Sequence, residues 1–536
     1  MRKIYALVLV LFVSQYFNDS SAQMLELEKT YEITGKSKKG YLGKVIYDQN
    51  TKIYSLIYVT KSTDRKAKFE TYTFDKDFNF LNKEEEEIEF EKAKLKFSWF
   101  NFKGEQYVVE TISVAGNLTG TLVLKKKRIT YTYDWFFGGY SKKVELLEKV
   151  KPKNDEGNKY FYHTHVDDDV TGDILVVAGL KEKSDPFKHF RDFSLLKFNK
   201  DFDLVKESFV KFDHIQSIAV TRSITKVYEG DTDHTGIGGL MMVFAPMGGQ
   251  GMNKVASPDK NAYTYIRTNE NGELIHRAAF TSPASYWKID EIVSVDGENS
   301  VYVFGPAAEG KDKYYNMSVA TTKFKAIQLL KIKDGKTEYI TSANLDEIES
   351  KIKTPPAQKK SPAYEGKKFD IKGYAVGSAN DFFIYGQNFD MGDKGIKYRD
   401  VIGFHFDSKG ILKSQYGVDT KETNAFALAN GSPQYLQEGT NGQDVYWILT
   451  EIDGVKTDDV STNHATTRLL IYPRVGKINV SSGTIGDFIT LGKIDKKTFY
   501  LDNKFPYLPV DEGNALVFFG NDKTGKILWF GKLRLE

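Results

Sequence analysis

The sequence contains no cysteine. That excludes disulfide staples, thiol nucleophiles, thiolate metal sites and lipid attachment through sulfur, and leaves His, carboxylate, hydroxyl and amine chemistry. A chain of 536 residues is long enough to bury a core without staples. An excess of one charge is also missing: 75 Lys and Arg stand against 72 Asp and Glu. Such a balance supplies no long-range field for nucleic acid or an anionic membrane, so no nucleic-acid partner is expected. No apolar run reaches the ~20 residues that a membrane-spanning helix needs.

The chain opens "MRKIYALVLVLFVSQYFNDSSAQ". Arg2 and Lys3 precede an apolar stretch from Ile4 to Val13, and small and polar residues lead to Ala22. This order predicts a secretory signal peptide over 1–22, cut after Ala22, and an extracytoplasmic mature chain that is periplasmic, cell-surface or secreted. Residues 23–536 read as one domain.

What the sequence has in abundance is aromatic residues, 37 Phe and 32 Tyr, set in short runs between Gly, Asn and Asp. That mixture favours strands. One local pattern recurs eight times, a polar turn followed by four to six residues rich in Val, Ile, Tyr and Phe. The apolar runs begin near Tyr54, Tyr107, Ile174, Leu240, Val301, Phe382, Val445 and Leu516, roughly 50 to 80 residues apart. A second element often follows, as in "YTFDKDFNFL", "LKFNKDFDLV" and "FHFDSKGILK", where a strand meets an Asp, Asn or Gly turn and a further strand begins. Each repeat reads as an antiparallel meander that cannot bury both faces alone, so neighbours stack on it.

The sequence therefore predicts an all-β chain, specifically a β-propeller of seven or eight blades of antiparallel four-stranded sheets. Strands from both termini close the ring, the last hairpin lying beside an early strand such as "GKVIYDQ". The closing segment "NDKTGKILWFGKL", with Asp522, Thr524, Gly525, Lys526 and Trp529, resembles the Asp-x-x-Thr-Gly-x-x-x-Trp repeat of PQQ-type β-propellers. That family includes quinone dehydrogenases and outer-membrane assembly scaffolds. The resemblance implies blade geometry, and no quinone is inferred from it.

Departures from the repeat are candidate functional segments. The largest is 344–369, where Asn344 is placed to cap a short helix, Pro355 and Pro356 to end it, and the rest reads as a basic inter-blade loop or a docking arm. The run "EEEEIEFEKAKLK" from Glu84 to Lys96 reads as a charged strand edge. In "HTHVDDDVTGD", a strand places His163, His165 and Asp167 on one face, the spacing of a metal site. The segments Asp167 to Asp173 and Asp231 to Gly236 resemble the first half of a calcium loop without its closing glutamate, so calcium is a second ion the sequence suggests. No organic cofactor is predicted. In "GIGGLMMVFAPMGGQGMNK", Met241 and Met242 read as strand core. Met247 and Met252 lie in a glycine loop suited to an adaptable apolar contact.

No Gly-x-Ser-x-Gly elbow and no Ser-x-Asp-x-Gly-x-Thr-Trp box of the sialidase propellers is present. The sequence thus leans away from catalysis. Its leading reading is an exported binding or scaffolding propeller that engages a protein partner, in an outer-membrane or cell-surface complex, through loops of one ring face. The alternative is a propeller enzyme acting on glycans or peptides, with carboxylates meeting near the central axis.

Overall fold

The computed structural model describes residues 25–536 except 63–65, 90–101, 104–105, 135–138, 186, 229–230, 248–258, 260, 285, 296–298, 309–323, 367, 393–394, 422–430, 460–464 and 495. The leader over 1–22 lies outside the described residues. The chain is all-β, and its strands form eight sheets in succession, four of them four-stranded and the others with five or six strands.

Sheet one runs from Tyr41–Asp48 to Phe80–Glu89, sheet two from Phe102–Lys103 to Gly139–Val150 and sheet three from Lys159–Asp167 to Leu204–Lys211. Sheet four runs from Gln216–Tyr228 to Leu274–Thr281, and sheet five from Tyr286–Trp287 to Lys336–Asn344. Sheet six holds Phe369–Val376 to Leu412–Val418, and sheet seven Gln434–Glu438 to Ile489–Thr490. Sheet eight is built on Lys497–Leu501, Tyr507–Val510, Ala515–Asp522 and Ile527–Arg534.

Each of the eight apolar runs read from the sequence is the second strand of one sheet. In the seven sheets other than sheet two, the apolar runs are covered on both faces, and Ser300–Ala308 is buried along its whole length. A doubly covered strand needs apolar side chains at consecutive positions, which is why the runs show no polar alternation. Successive side chains enter opposite interfaces. In Asp231–Pro246, Met242 and Phe244 pack with Leu175 and Val177 of sheet three, while Met241 and Val243 pack with Val301 and Val303 of sheet five. Each such side chain contributes about 1.5–3 kcal/mol on burial.

The same packing joins sheets two and three, five and six, six and seven, and seven and eight. Sheet eight then packs on sheet one, with Val517, Phe519 and Phe530 against Tyr54, Leu56 and Tyr72. The described residues thus show seven interfaces between eight sheets.

Four of the turns from third to fourth strand share one chemistry. The side chains of Asp75, Asn199, Asn269 and Asp407 each accept from the backbone N–H groups two and four residues on. The residue three positions on is left-handed. It is Gly272 and Gly410 in two turns but Phe78 and Phe202 in the others. A left-handed non-glycine residue costs roughly 1–2 kcal/mol, and burial of a phenylalanine offsets it. Phe78 is buried and stacks on Phe530 at 5.1 Å, and Phe202 is buried against sheet three.

The outer strand of sheet eight is Leu25–Glu32, antiparallel to Ile527–Arg534. The end strands do meet, but the early partner is not "GKVIYDQ". Residues 43–48 belong to the first strand of sheet one and pair with Ile53–Ser62. The fourth place of sheet eight is at its outer edge, and only the segment preceding sheet one reaches it.

Segment 344–369 folds back on the molecule rather than projecting from it. Asn344 caps the helix Leu345–Ser350, Ile352–Lys353 adds a parallel strand to the edge of sheet six, and Tyr364 is buried. Phe80–Glu89 is the outer strand of sheet one, so glutamates 84–87 lie on a sheet edge, while 90–96 falls outside the described residues.

Candidate functional site

The structure does not bring His163, His165 and Asp167 together as a metal site. A bulge between Tyr162 and Thr164 places His163 outside the strand alternation on which the spacing of two depends. His163 Nε2 lies 3.1 Å from the His189 carbonyl oxygen, and its ring packs among Phe161, Phe190 and Phe193. Burial lowers its pKa to about 4, so it is a neutral core imidazole at physiological pH. His165 instead meets the Tyr162 hydroxyl at 2.8 Å and lies 3.6 Å from Asp167. Among the described residues, no group of three His, Asp or Glu is placed to hold a metal.

The aspartate loop after that strand is a structural pin. Asp168 accepts from the Val170 and Thr171 amides of its own turn, then from the Tyr228 hydroxyl at 2.8 Å and the Ile237 amide at 3.1 Å in sheet four. Burial works to raise its pKa, but the Thr171 amide, the Tyr228 phenol and the other donors outweigh it and hold it near 2. Asp169 accepts from the Thr235 amide and hydroxyl across the same interface. These carboxylates are occupied by protein donors. The side chains of 231–234 lie outside the described residues.

Met247 follows directly on the second strand of sheet four, half-buried, its N–H donating to the Ile215 carbonyl at 3.2 Å. Met252 lies outside the described residues.

A concave site that no sequence motif marks lies where the first and last sheets meet. A cleft of about 700 Å³ is lined by residues from six separated segments, among them Glu26, Tyr47, Lys52, Lys76, Asp77, Asp511, Glu512, Lys532 and Arg534. Its wall includes the turn Asp511-Glu512-Gly513, with φ of 51°, 60° and 89°. Consecutive left-handed non-glycine residues store strain of roughly 1–2 kcal/mol each, which persists only where surrounding bonds hold it. Here Asp511 is held by Lys532 Nζ at 2.8 Å and by the Tyr47 hydroxyl at 3.3 Å. The Lys532 bond keeps its carboxyl below the usual range. Glu26 pairs with Arg534 at 3.1 Å and Lys532 at 3.5 Å. The cleft therefore presents fixed charges of both signs.

A second ionisable group gathers on sheets five and six. Lys372 Nζ and the Tyr398 hydroxyl both reach Asp370 Oδ2 at 2.6 Å and lie 3.1 Å from one another. Asp290, entering sheet five, has its pKa raised by burial, against the lowering effect of Lys288 and with help from Asp370 and Glu291.

Sequence reasoning missed both constellations because their members lie far apart in the chain. The motif turn it did identify is explained structurally. Asp522 accepts from the Lys526 and Ile527 amides and the Thr524 hydroxyl, and buried Trp529 donates to Glu28 Oε1 at 2.7 Å.

No family model matches the chain, and no curated protein matches it. Among solved structures, an apocarotenoid oxygenase of Synechocystis is similar at 6% identity over 89% of this chain and 96% of that chain, with a TM-score of 0.28. A NanB sialidase of Streptococcus pneumoniae is similar at 9% identity over 90% and 84%, TM-score 0.26. A Penicillium chrysogenum α-L-arabinanase complexed with arabinobiose is similar at 9% identity over 68% and 90%, TM-score 0.24. Likenesses of this depth say nothing about what this chain does.

Proposed function

We propose that the chain is an exported, closed β-propeller of eight blades that works as a binding protein, taking a mixed-charge segment of a partner protein into the cleft between its first and last sheets. Ring closure requires sheet one to meet sheet two. In support, the face of sheet one turned away from sheet eight is itself buried at Ile57, Val59, Ala67 and Phe69. Export rests on the leader pattern, and no helix of the described residues is long and apolar enough to cross a membrane. A place in a cell-surface or outer-membrane complex follows from export and binding together.

The observation that carries the binding reading is the cleft itself. It encloses about 700 Å³, and one of its charges, Asp511, stands on a strained turn held in place by Lys532 and Tyr47. Fixed ion pairs of alternating sign select a segment bearing the complementary order of charges. The test exchanges Lys76 and Asp77, exposed turn residues on the cleft rim, in the double variant Lys76→Glu, Asp77→Lys. Partners crosslinked to the intact protein in its own cell envelope should be lost from this variant while its melting curve is unchanged. An identical crosslinked set would refute the assignment.

The enzyme reading has one observation in its favour, the Asp290 and Asp370 carboxylates with Tyr398 and Lys372. Under it, Asp370→Asn abolishes hydrolysis of a glycan or peptide substrate that the intact chain turns over, while partner crosslinking persists. Absence of turnover across glycan and peptide panels would remove this reading.

A further inference from the structure

Seven seams between neighbouring sheets are closed by apolar clusters that draw side chains from both sheets. The remaining face of sheet one is different. Its cluster of Ile57, Val59, Ala67 and Phe69, with half-buried Ile88, draws on sheet one alone among the described residues. The faces that sheets one and two would turn to each other are distinguished instead by charge.

On sheet one the third and fourth strands pair Ala67 with Ile88, Phe69 with Glu86 and Thr71 with Glu84, so Glu84 and Glu86 share the face of Phe69. Glu85 and Glu87 lie on the opposite face, where Lys36 and Lys83 pair with the first and Lys68 with the second. On sheet two, Val114 and Leu124 pack on sheet three. Alternation along Leu122–Asp134 therefore turns Lys125 and Lys127 the other way. Cross-strand partners carry that face onto Gly139–Val150, with Lys149 beside Lys125, Leu146 beside Lys127 and Lys142 beside Tyr131. Glu145 and Glu148 fall on the sheet-three side, opposite Arg128 and Lys126. The face away from sheet three thus bears four lysines around Val144 and Leu146, which are 51% and 53% exposed. Lys142 stands over the Tyr131 ring at 5.9 Å.

We propose that sheet one closes on sheet two through opposite charge, Glu84 and Glu86 against the lysines of sheet two, and that this seam opens when those charges are screened while the apolar seams stay shut. The inference rests on the closed-ring reading above. Ion pairs between neighbouring sheets have a precedent in this chain, since Lys206 on the outer strand of sheet three meets Glu273 of sheet four at 2.9 Å. Raising salt from about 0.1 M to about 1 M shortens the screening length from about 10 Å to about 3 Å. That weakens attraction between exposed charges and leaves apolar burial in place.

Because the chain has no cysteine, two substitutions place a pair of spin labels without side reactions. Asn82→Cys with Ser141→Cys labels exposed positions on the outer strands of sheets one and two, and Glu270→Cys with Lys336→Cys labels the apolar seam of sheets four and five as a control. Dipolar distance measurements on the full chain should give one short distance across the charged seam at low salt. At high salt that distance should be lost and the control distance unchanged. Lys127→Glu with Lys142→Glu should lose the short distance even at low salt, and adding Glu84→Lys with Glu86→Lys should restore it. A short distance that survives high salt, or a charge exchange that restores nothing, would overturn the electrostatic seam and leave the closed ring standing. No short distance at any salt would overturn the closed ring and the seam with it. A short distance lost on dilution with unlabelled chain would assign the contact to two copies and overturn the proposal as well.

Discussion

Two sheets have their outer edges covered by a distant piece of chain, and they do it differently. On sheet eight, Leu25–Glu32 runs antiparallel along Ile527–Arg534 with alternating burial, so Leu27 and Tyr31 reach the core while Glu26, Glu28 and Glu32 face solvent. The cover is a backbone ladder. On sheet six, only Ile352–Lys353 pairs with the edge, and the segment is held by side chains instead. The Tyr364 hydroxyl donates to the Phe324 carbonyl at 2.5 Å, its amide N–H donates to Gln415 Oε1 at 3.1 Å, and its ring sits edge-on to Phe369 and Phe404. A ladder distributes its strength over many equivalent bonds. A pinned segment concentrates it in a few, so single substitutions should expose the difference.

The largest effect belongs to the ladder as a whole. Removal of 25–32 leaves the edge of Ile527–Arg534 unpaired and takes Leu27 and Tyr31 out of the core between sheets one and eight. The truncated chain should lose its single cooperative transition in calorimetry, and a melt like that of the intact chain would show that this strand is dispensable. Single charge changes along the ladder, such as Glu32→Gln opposite Lys526, should leave the melt nearly unchanged, because exposed ion pairs contribute little.

On the pinned side one residue should suffice. Tyr364→Ala is expected to destabilise by about 3–5 kcal/mol. Tyr364→Phe, which keeps the ring but orphans the Phe324 carbonyl, should cost about 1–2 kcal/mol. Equal losses from the two variants in denaturant titrations would place the strength in the hydrogen bond rather than in packing.

A pin of another kind joins sheets three and four through Asp168. Its folded pKa lies near 2, below the ordinary aspartate value of 3.8, so its stabilisation is present above about pH 4 and is lost as pH falls toward 2. Asp168→Asn should therefore destabilise at pH 7 by on the order of 1–2 kcal/mol, the lower figure allowing for solvent screening, and the gap to the intact chain should close near pH 2. A gap that persists at low pH would mean that shape, not charge, carries the contact.

A small gain is expected at the strained cleft turn. Glu512→Gly removes a left-handed penalty but adds unfolded-chain entropy, and should raise stability by no more than about 1 kcal/mol. Clear destabilisation would show that the Glu512 side chain is itself bonded in the fold.

The repeat was legible because it is local. A second strand covered on both faces must be apolar at every position, and a tight turn must place Asp, Asn or Gly where a side-chain oxygen or a left-handed backbone is required. The eight runs and the turns at Asp75, Asn199, Asn269 and Asp407 could therefore be read from neighbouring residues alone. The His163, His165 and Asp167 reading failed for a local reason of another sort. It assumed unbroken alternation, and the bulge at His163 has no distinct sequence signature.

The sequence by itself determined the all-β character, the number of repeats and the chemistry of their turns, since each depends on the preferences of a few adjacent residues. Only the tertiary structure decided that Leu25–Glu32 is the strand that covers sheet eight, that 344–369 folds back as a clamp, and that Asp511 and Tyr47 line one cleft with Glu26 and Lys532. Those outcomes join residues up to several hundred positions apart. They are set by which apolar faces remain uncovered once the sheets have formed, a property of the assembled surfaces that no short stretch of sequence encodes.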